Sequence, residues 1–124
     1  MGFLSGLMGV ASEADADKVE EQLKDFLLPD ENIIKAYQLV RDLTILTDRR
    51  IILIDKQGLT GRRTEYVCIP YRSIVKYSIE TTGHFDLDAD VKLWLSSHPE
   101  PIELEFRKSR DVAELVRVIS QYTC

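Results

Sequence analysis

Apolar residues along this chain keep two different periods. Val19, Leu23, Phe26 and Leu27 stand at i, i+4, i+7 and i+8, one stripe of an α-helix. Ser12 with Asp15 three residues on resembles a capping box, and Pro29 ends the run. The spacing predicts an amphipathic helix over residues 12–28, with an acidic outer face. From residue 32 the period falls to two. Strands are predicted from Ile33 to Val40, from Asp42 to Thr47, over the fully apolar run Ile51-Ile52-Leu53-Ile54, and over residues 64–69, stopping at Pro70. From Ile74 to Thr81 the alternation points Val75, Tyr77 and Ile79 inward. Tyr37 shares its parity with Ile33 and Leu39 and is assigned to the core. Phe85 to Leu95 alternates most regularly, with Phe85, Leu87, Ala89, Val91, Leu93 and Leu95 on one face. Ile102, Leu104 and Phe106 close the strand series. The 3.6-residue period then returns: Val112, Leu115, Val116 and Ile119 make a stripe over residues 109–122, with Ser109 as N-cap and Asp111 in the first turn.

The order is therefore helix, seven strands, helix, a mainly β chain with α (α+β). Short turns between consecutive strands require an antiparallel meander. Such a meander must roll into a barrel or sandwich to hide its apolar face, with the last helix capping the open end. A length of 124 residues fits a single domain, 1–124, with its strands over 32–108. It is long enough to bury roughly two-thirds of its unfolded surface without a metal or disulfide.

Charge narrows the range of partners. The net charge is −5, which argues against nucleic acid. The distribution is uneven: residues 1–35 carry 3 basic and 8 acidic side chains, residues 36–80 carry 8 and 5, and residues 81–124 carry 5 and 8. Cys68 and Cys124, one inside an apolar run and one at the end, form neither a disulfide framework nor a metal-ligand spacing, and a reduced, cytoplasmic protein is the simpler expectation. The apolar start is too short to span a bilayer and has no basic residue before it.

Two runs bring a family into view. "LTDRRIILID", Leu46 to Asp55, and "YVCIPYRSIVKYSIET", Tyr66 to Thr81, are similar to strand signatures of the bacterial pleckstrin-homology (PH) domains, small single-domain type. A helix ahead of the strands resembles that family as well. The resemblance implies a PH-like seven-stranded barrel or sandwich with a C-terminal capping helix and an extra N-terminal helix. It also implies a non-catalytic module that assembles into closed cyclic rings, with a polar surface where strands of neighbouring protomers meet. The phosphoinositide site of classical PH domains lies in the first strand–loop–strand. Here that region offers only Lys35 and Arg41, so lipid binding does not carry over from the resemblance.

Chemistry-bearing residues are few. The loop "DKQGLTGRRT", Asp55 to Thr64, sets Lys56, Arg62 and Arg63 around Gly58 and Gly61. A P-loop needs wider glycine spacing and a following helix, and a nucleic-acid-clamping GxxG loop joins two helices. This loop joins two strands, so it reads as a hairpin tip whose glycines serve the turn. Its three basic side chains would add about 3 kcal/mol at an anionic membrane. That is millimolar or weaker for one copy and useful only when an oligomer repeats the loop. "DLDAD", Asp86 to Asp90, lacks the glycine and glutamate of a calcium loop, Val91 and Ser97 standing in their places. His84 and His98 lie in turns without a second ligand at metal spacing. Trp94 falls on the polar face of its strand. Two readings stand side by side: an interface with another protomer or the N-terminal helix, or packing against the first helix of its own chain. Phe3 and Leu7 in the apolar start are candidate oligomer contacts with it. The expectation is a non-enzymatic module that self-associates and takes a further protein partner. No cofactor and no metal are expected, and an anionic-lipid-binding peripheral module is the alternative.

Overall fold

The computed structural model describes residues 19–38, 42–57, 63–81, 89–107 and 109–124. The chain divides into two compact units, Met1–Cys68 and Ile69–Cys124. Seven strands pair as two antiparallel sheets, four strands in the order β1-β2-β3-β4 and three in the order β5-β6-β7. Among the described residues the pairing does not close a barrel.

The described residues of the first unit open with helical residues 19–23, here α1. The helix was expected to reach residue 28. Its hydrogen bonds instead tighten, with Phe26 N–H donating to the Leu23 carbonyl at 2.8 Å, and the chain turns ahead of Pro29. Four strands follow: β1 (Ile33–Gln38), β2 (Asp42–Thr47), β3 (Arg50–Gln57) and β4 (Arg63–Pro70). Val19 and Leu23 of α1 pack on Ile33, Ala36, Ile45, Ile52 and Ile54, with Leu27, Leu43 and Tyr66 at the margin. The opposite face of these strands is also buried, through Tyr37, Thr44, Leu46, Ile51 and Leu53. This agrees with the unbroken apolar run of β3. Tyr37 is in the core as expected, yet it does not share a face with Ile33. Ile33 pairs with Thr47 and Lys35 with Leu46, so Ile34 is an extra, bulged residue that reverses the parity of everything before it.

The second unit holds a single 3₁₀ turn (Tyr71–Ser73), then β5 (Ile74–Thr81), β6 (Ala89–Leu95), β7 (Ile102–Phe106) and α2 (Ser109–Thr123). Register places Ile79, Val91 and Leu104 side by side, and Tyr77, Leu93 and Ile102 beside them. The helix α2 packs across the sheet. It buries Val112, Leu115, Val118 and Ile119, while Val116 of the expected stripe is only half-buried. The inward assignment of Val75 is overturned: the residue is 66% exposed, and Ile74 is buried instead. The cause is a second bulge, between Ile74 and Lys76, which makes Val75 the extra residue. Ile79 does lie on the inward register but is 46% exposed, because among the described residues β5 has a ladder neighbour on one side only.

Candidate interaction surface

Two polar constructions fix the backbone around the candidate surfaces. In the first unit, the turn Asp48-Arg49 between β2 and β3 grips the linker from α1 to β1. Arg50 sends Nε to Glu31 Oε2 and Nη2 to Glu31 Oε1, both at 2.9 Å, a two-point fork on a carboxylate whose side chain is fully buried. Thr47 Oγ1 donates to Glu31 Oε2 at 2.6 Å, and the Leu28 N–H donates to Oε1 at 3.0 Å. The same Thr47 oxygen accepts from the N–H groups of Arg49 and Arg50, closing the turn. Burial alone would push the Glu31 carboxyl up. The hydrogen bonds from Arg50, Thr47 and Leu28, with the Arg50 charge, outweigh it and hold the group at about 2, below its ordinary 4.5. Arg50 in turn is raised, first by its bond to Glu31. Arg50 also donates to the Phe26 carbonyl at 2.8 Å, so one guanidinium fixes both ends of the linker. This explains "TDRR" structurally: Thr47 and Arg50 bind Glu31, Asp48 accepts from the Asn32 N–H, and Arg49 pairs with Asp30. Sequence reasoning missed the node. The available signal was an arginine abutting an apolar strand, which needs a buried partner.

In the second unit, β5 and β6 present the exposed apolar surface. Trp94, half-buried, pairs across the ladder with Lys76, whose Nζ lies 4.3 Å from the ring centroid, a cation–π contact. Val75, Leu95, Ser97, His98 and Pro99 complete a cleft of about 540 Å³ around this pair. Its rim is a tight turn. The His98 N–H donates to the Leu95 carbonyl at 3.1 Å, and Ser97 takes φ 67°, a left-handed conformation that favours glycine. The Ser96 N–H donates to the Ser73 carbonyl at 2.8 Å and ties the turn to the 3₁₀ segment. On the inner side, the Tyr77 hydroxyl and Ser120 Oγ lie 2.6 Å apart, and Tyr71 stacks on Tyr122 with centroids 5.0 Å apart. These contacts stiffen the sheet from below.

The remaining candidates divide by place. Arg63 is exposed at the first residue of β4. Arg62 and the Lys56 side chain lie outside the described residues, as do Phe3, Leu7 and His84. The two strands flanking the loop are neighbours in one sheet, as a hairpin requires. Of Phe3, Leu7 and Trp94, the expected oligomer contacts, only Trp94 has described surroundings, and Val75 lines the same cleft. Among the described residues no three His, Cys, Asp or Glu stand close enough to share a metal ion, and no helix is long and apolar enough to cross a membrane.

Comparison with known proteins follows the same lines. The sequence profile described as Bacterial PH domain matches residues 2–123. An uncharacterized protein of Bacillus subtilis (strain 168), YjqA, is 44% identical over 121 residues, 97% of each chain. The crystal structure of a pleckstrin homology domain from Shewanella amazonensis SB2B is 43% identical, with a TM-score of 0.74 over 94% of both chains. A DUF1696 family protein with a pleckstrin-homology domain from Shewanella loihica PV-4 is 36% identical, with a TM-score of 0.77 over 87% of this chain and 92% of the other.

Proposed function

The chain belongs to the bacterial PH domain family, and on that premise we propose that it is a non-catalytic interaction module that assembles with copies of itself into a cyclic homo-oligomer and offers the assembly to a further protein partner. The observation that carries this reading is the solvent-facing apolar group on β5 and β6. Val75 is 66% exposed, and beside it the Lys76–Trp94 pair borders a cleft rimmed by a strained turn. A large aromatic on the solvent face of a sheet, next to an exposed valine, is the composition of an interface core and costs solubility unless covered. The turn adds a second support, because left-handed non-glycine residues concentrate where a surface is used. Catalysis would call instead for convergent titratable groups in an enclosed site. The cleft offers one ammonium, one imidazole and one hydroxyl on an otherwise apolar lining.

Sedimentation velocity tests the reading. The protomer mass is 14.2 kDa, and the expected result at micromolar concentration is a species several times heavier. The double change Val75→Ser with Trp94→Ala should shift the distribution toward the protomer while leaving the circular dichroism unchanged. A wild-type chain that sediments only as the protomer up to high micromolar concentration would overturn self-assembly.

A further inference from the structure

We propose that the cleft between β5, β6 and the turn after β6 takes the C-terminal carboxylate of a protein partner whose last side chain is large and apolar. The inference goes beyond self-assembly. It takes up the protein partner of the reading above and names its chemistry from the polar groups of the cleft, which an apolar contact between copies leaves unused.

Charge carries the argument. The cleft is apolar at Val75, Trp94, Leu95 and Pro99, and its polar lining is Lys76, Ser97 and His98. Each of those three can donate a hydrogen bond, and one is a full cation. No acid is among them, in a chain with 21 acidic against 16 basic residues, and Glu100, next after Pro99, lies outside the lining. The ladder shows how the cation is left over. On the outer face of the second sheet, Lys92 lies opposite Glu103, while Asp90 lies between Glu80 and Glu105. Lys76 lies opposite Trp94 instead. Its Nζ stands over the indole at 4.3 Å, and among the described residues it pairs with no carboxylate. Glu80 is four residues further along β5, about 13 Å at the rise of a strand. Acids therefore gather at one end of this face and the ammonium–indole pair stands at the other, so an anionic end group is drawn to the cleft. The indole holds the ammonium in place before any ligand arrives, which lowers the cost of binding.

The lining also selects the form of the anion. His98 Nδ1 lies 2.9 Å from the Ser96 carbonyl oxygen, which can only accept. Nδ1 therefore carries the hydrogen, and Nε2 is left as an acceptor for a ligand N–H. An inorganic anion would use the ammonium and leave the apolar wall bare. A neutral apolar group would use the wall and leave the ammonium. A C-terminal residue brings a carboxylate, an apolar side chain and a backbone N–H together on one residue. The cleft lies open on the sheet, with Val75, Lys76, Ser97, His98 and Pro99 all exposed. It would cover one side of a small free acid, whereas a chain end rests its last residue there and runs out over the surface.

Trp94 is the single tryptophan of the chain, so its emission reports the cleft directly. The probe is acetyl-Ala-Ala-Phe, whose one charge is its terminal carboxylate. It should give a saturable blue shift, half-complete below about 1 mM. The C-terminal amide of the same peptide should bind about tenfold more weakly. Lys76→Gln should lose about as much for the free acid and nothing for the amide. Lys76→Arg keeps a cation over the ring and should restore binding, which also shows that a change at this position leaves the fold intact. Phenylpropionate, the same ring and carboxylate without the chain, should bind more weakly than the peptide. Absence of a saturable shift, equal binding of acid and amide, or binding unchanged by Lys76→Gln each overturns the proposal. Phenylpropionate binding as tightly as the peptide assigns the cleft to a free acid and overturns the protein partner. A chain that sediments as an assembly yet gives no shift loses this inference and keeps self-association; a protomer that binds the peptide does the reverse.

Discussion

Glu31 shows how one residue ties the first unit together. Four donors meet its carboxylate, so its charged form is the stable one despite burial. Its folded value near 2 lies below its ordinary 4.5. The stabilisation is therefore complete above pH 4.5 and is lost as pH falls through about 2. The depression corresponds to about 3 kcal/mol. Acid unfolding followed by circular dichroism should show this loss in the wild type, and Glu31→Gln should flatten the dependence over that window. The same change leaves Arg50 without its anion and should cost about 2–3 kcal/mol at neutral pH. Thr44 makes the opposite case. It is fully buried between Tyr37 and Leu53, and its hydroxyl has no hydrogen-bond partner among the described residues. Thr44→Val should raise stability by about 1 kcal/mol in urea titration. Neither residue announced itself in the sequence. Glu31 reads as one acid among many in an acidic segment, and Thr44 as an ordinary β-branched strand residue. What sets them apart is the company that long-range contacts bring.

At the scale of elements, strand identity was legible and strand parity was not always so. β2 and β5 occupy the spans that alternation predicts, and α2 runs one residue past its own. The stripe on α2 was read correctly for Val112, Leu115 and Ile119. Leu115, fully buried against the second sheet, should cost about 2–4 kcal/mol when changed to Ala, read as a lowered urea midpoint. Tyr77→Phe, which removes only the hydroxyl facing Ser120, should cost about 1 kcal/mol. Both misreadings of parity, Ile33 and Val75, come from one mechanism. A bulge adds a residue to one strand of a pair, and a count along that strand alone is blind to it. The consequence for the candidate surface is direct. The residue assigned to the core by counting, Val75, is the most exposed large apolar side chain among the described residues, and it borders the Trp94 cleft.

For the whole molecule, the acidic balance sets the expectation for membranes. With a net charge of −5 and a basic tip of three side chains, binding to anionic vesicles should be slight for the protomer. Flotation with Arg62→Glu, Arg63→Glu should differ from wild type only under conditions where the protein is oligomeric. What the sequence determined by itself was the set of elements, because period and turn chemistry are local, and the family, because "LTDRRIILID" and the run from Tyr66 to Thr81 preserve local order. It also supplied Trp94, since an aromatic on a polar parity needs only counting. Tertiary structure decided the rest. Only folding brings Arg50 and Thr47 onto Glu31, 19 and 16 residues away, and only strand pairing reveals a bulge. Which edge of a sheet stays open depends on which partner each strand finds, and that is a property of the ladder, with no trace in the strand's own residues.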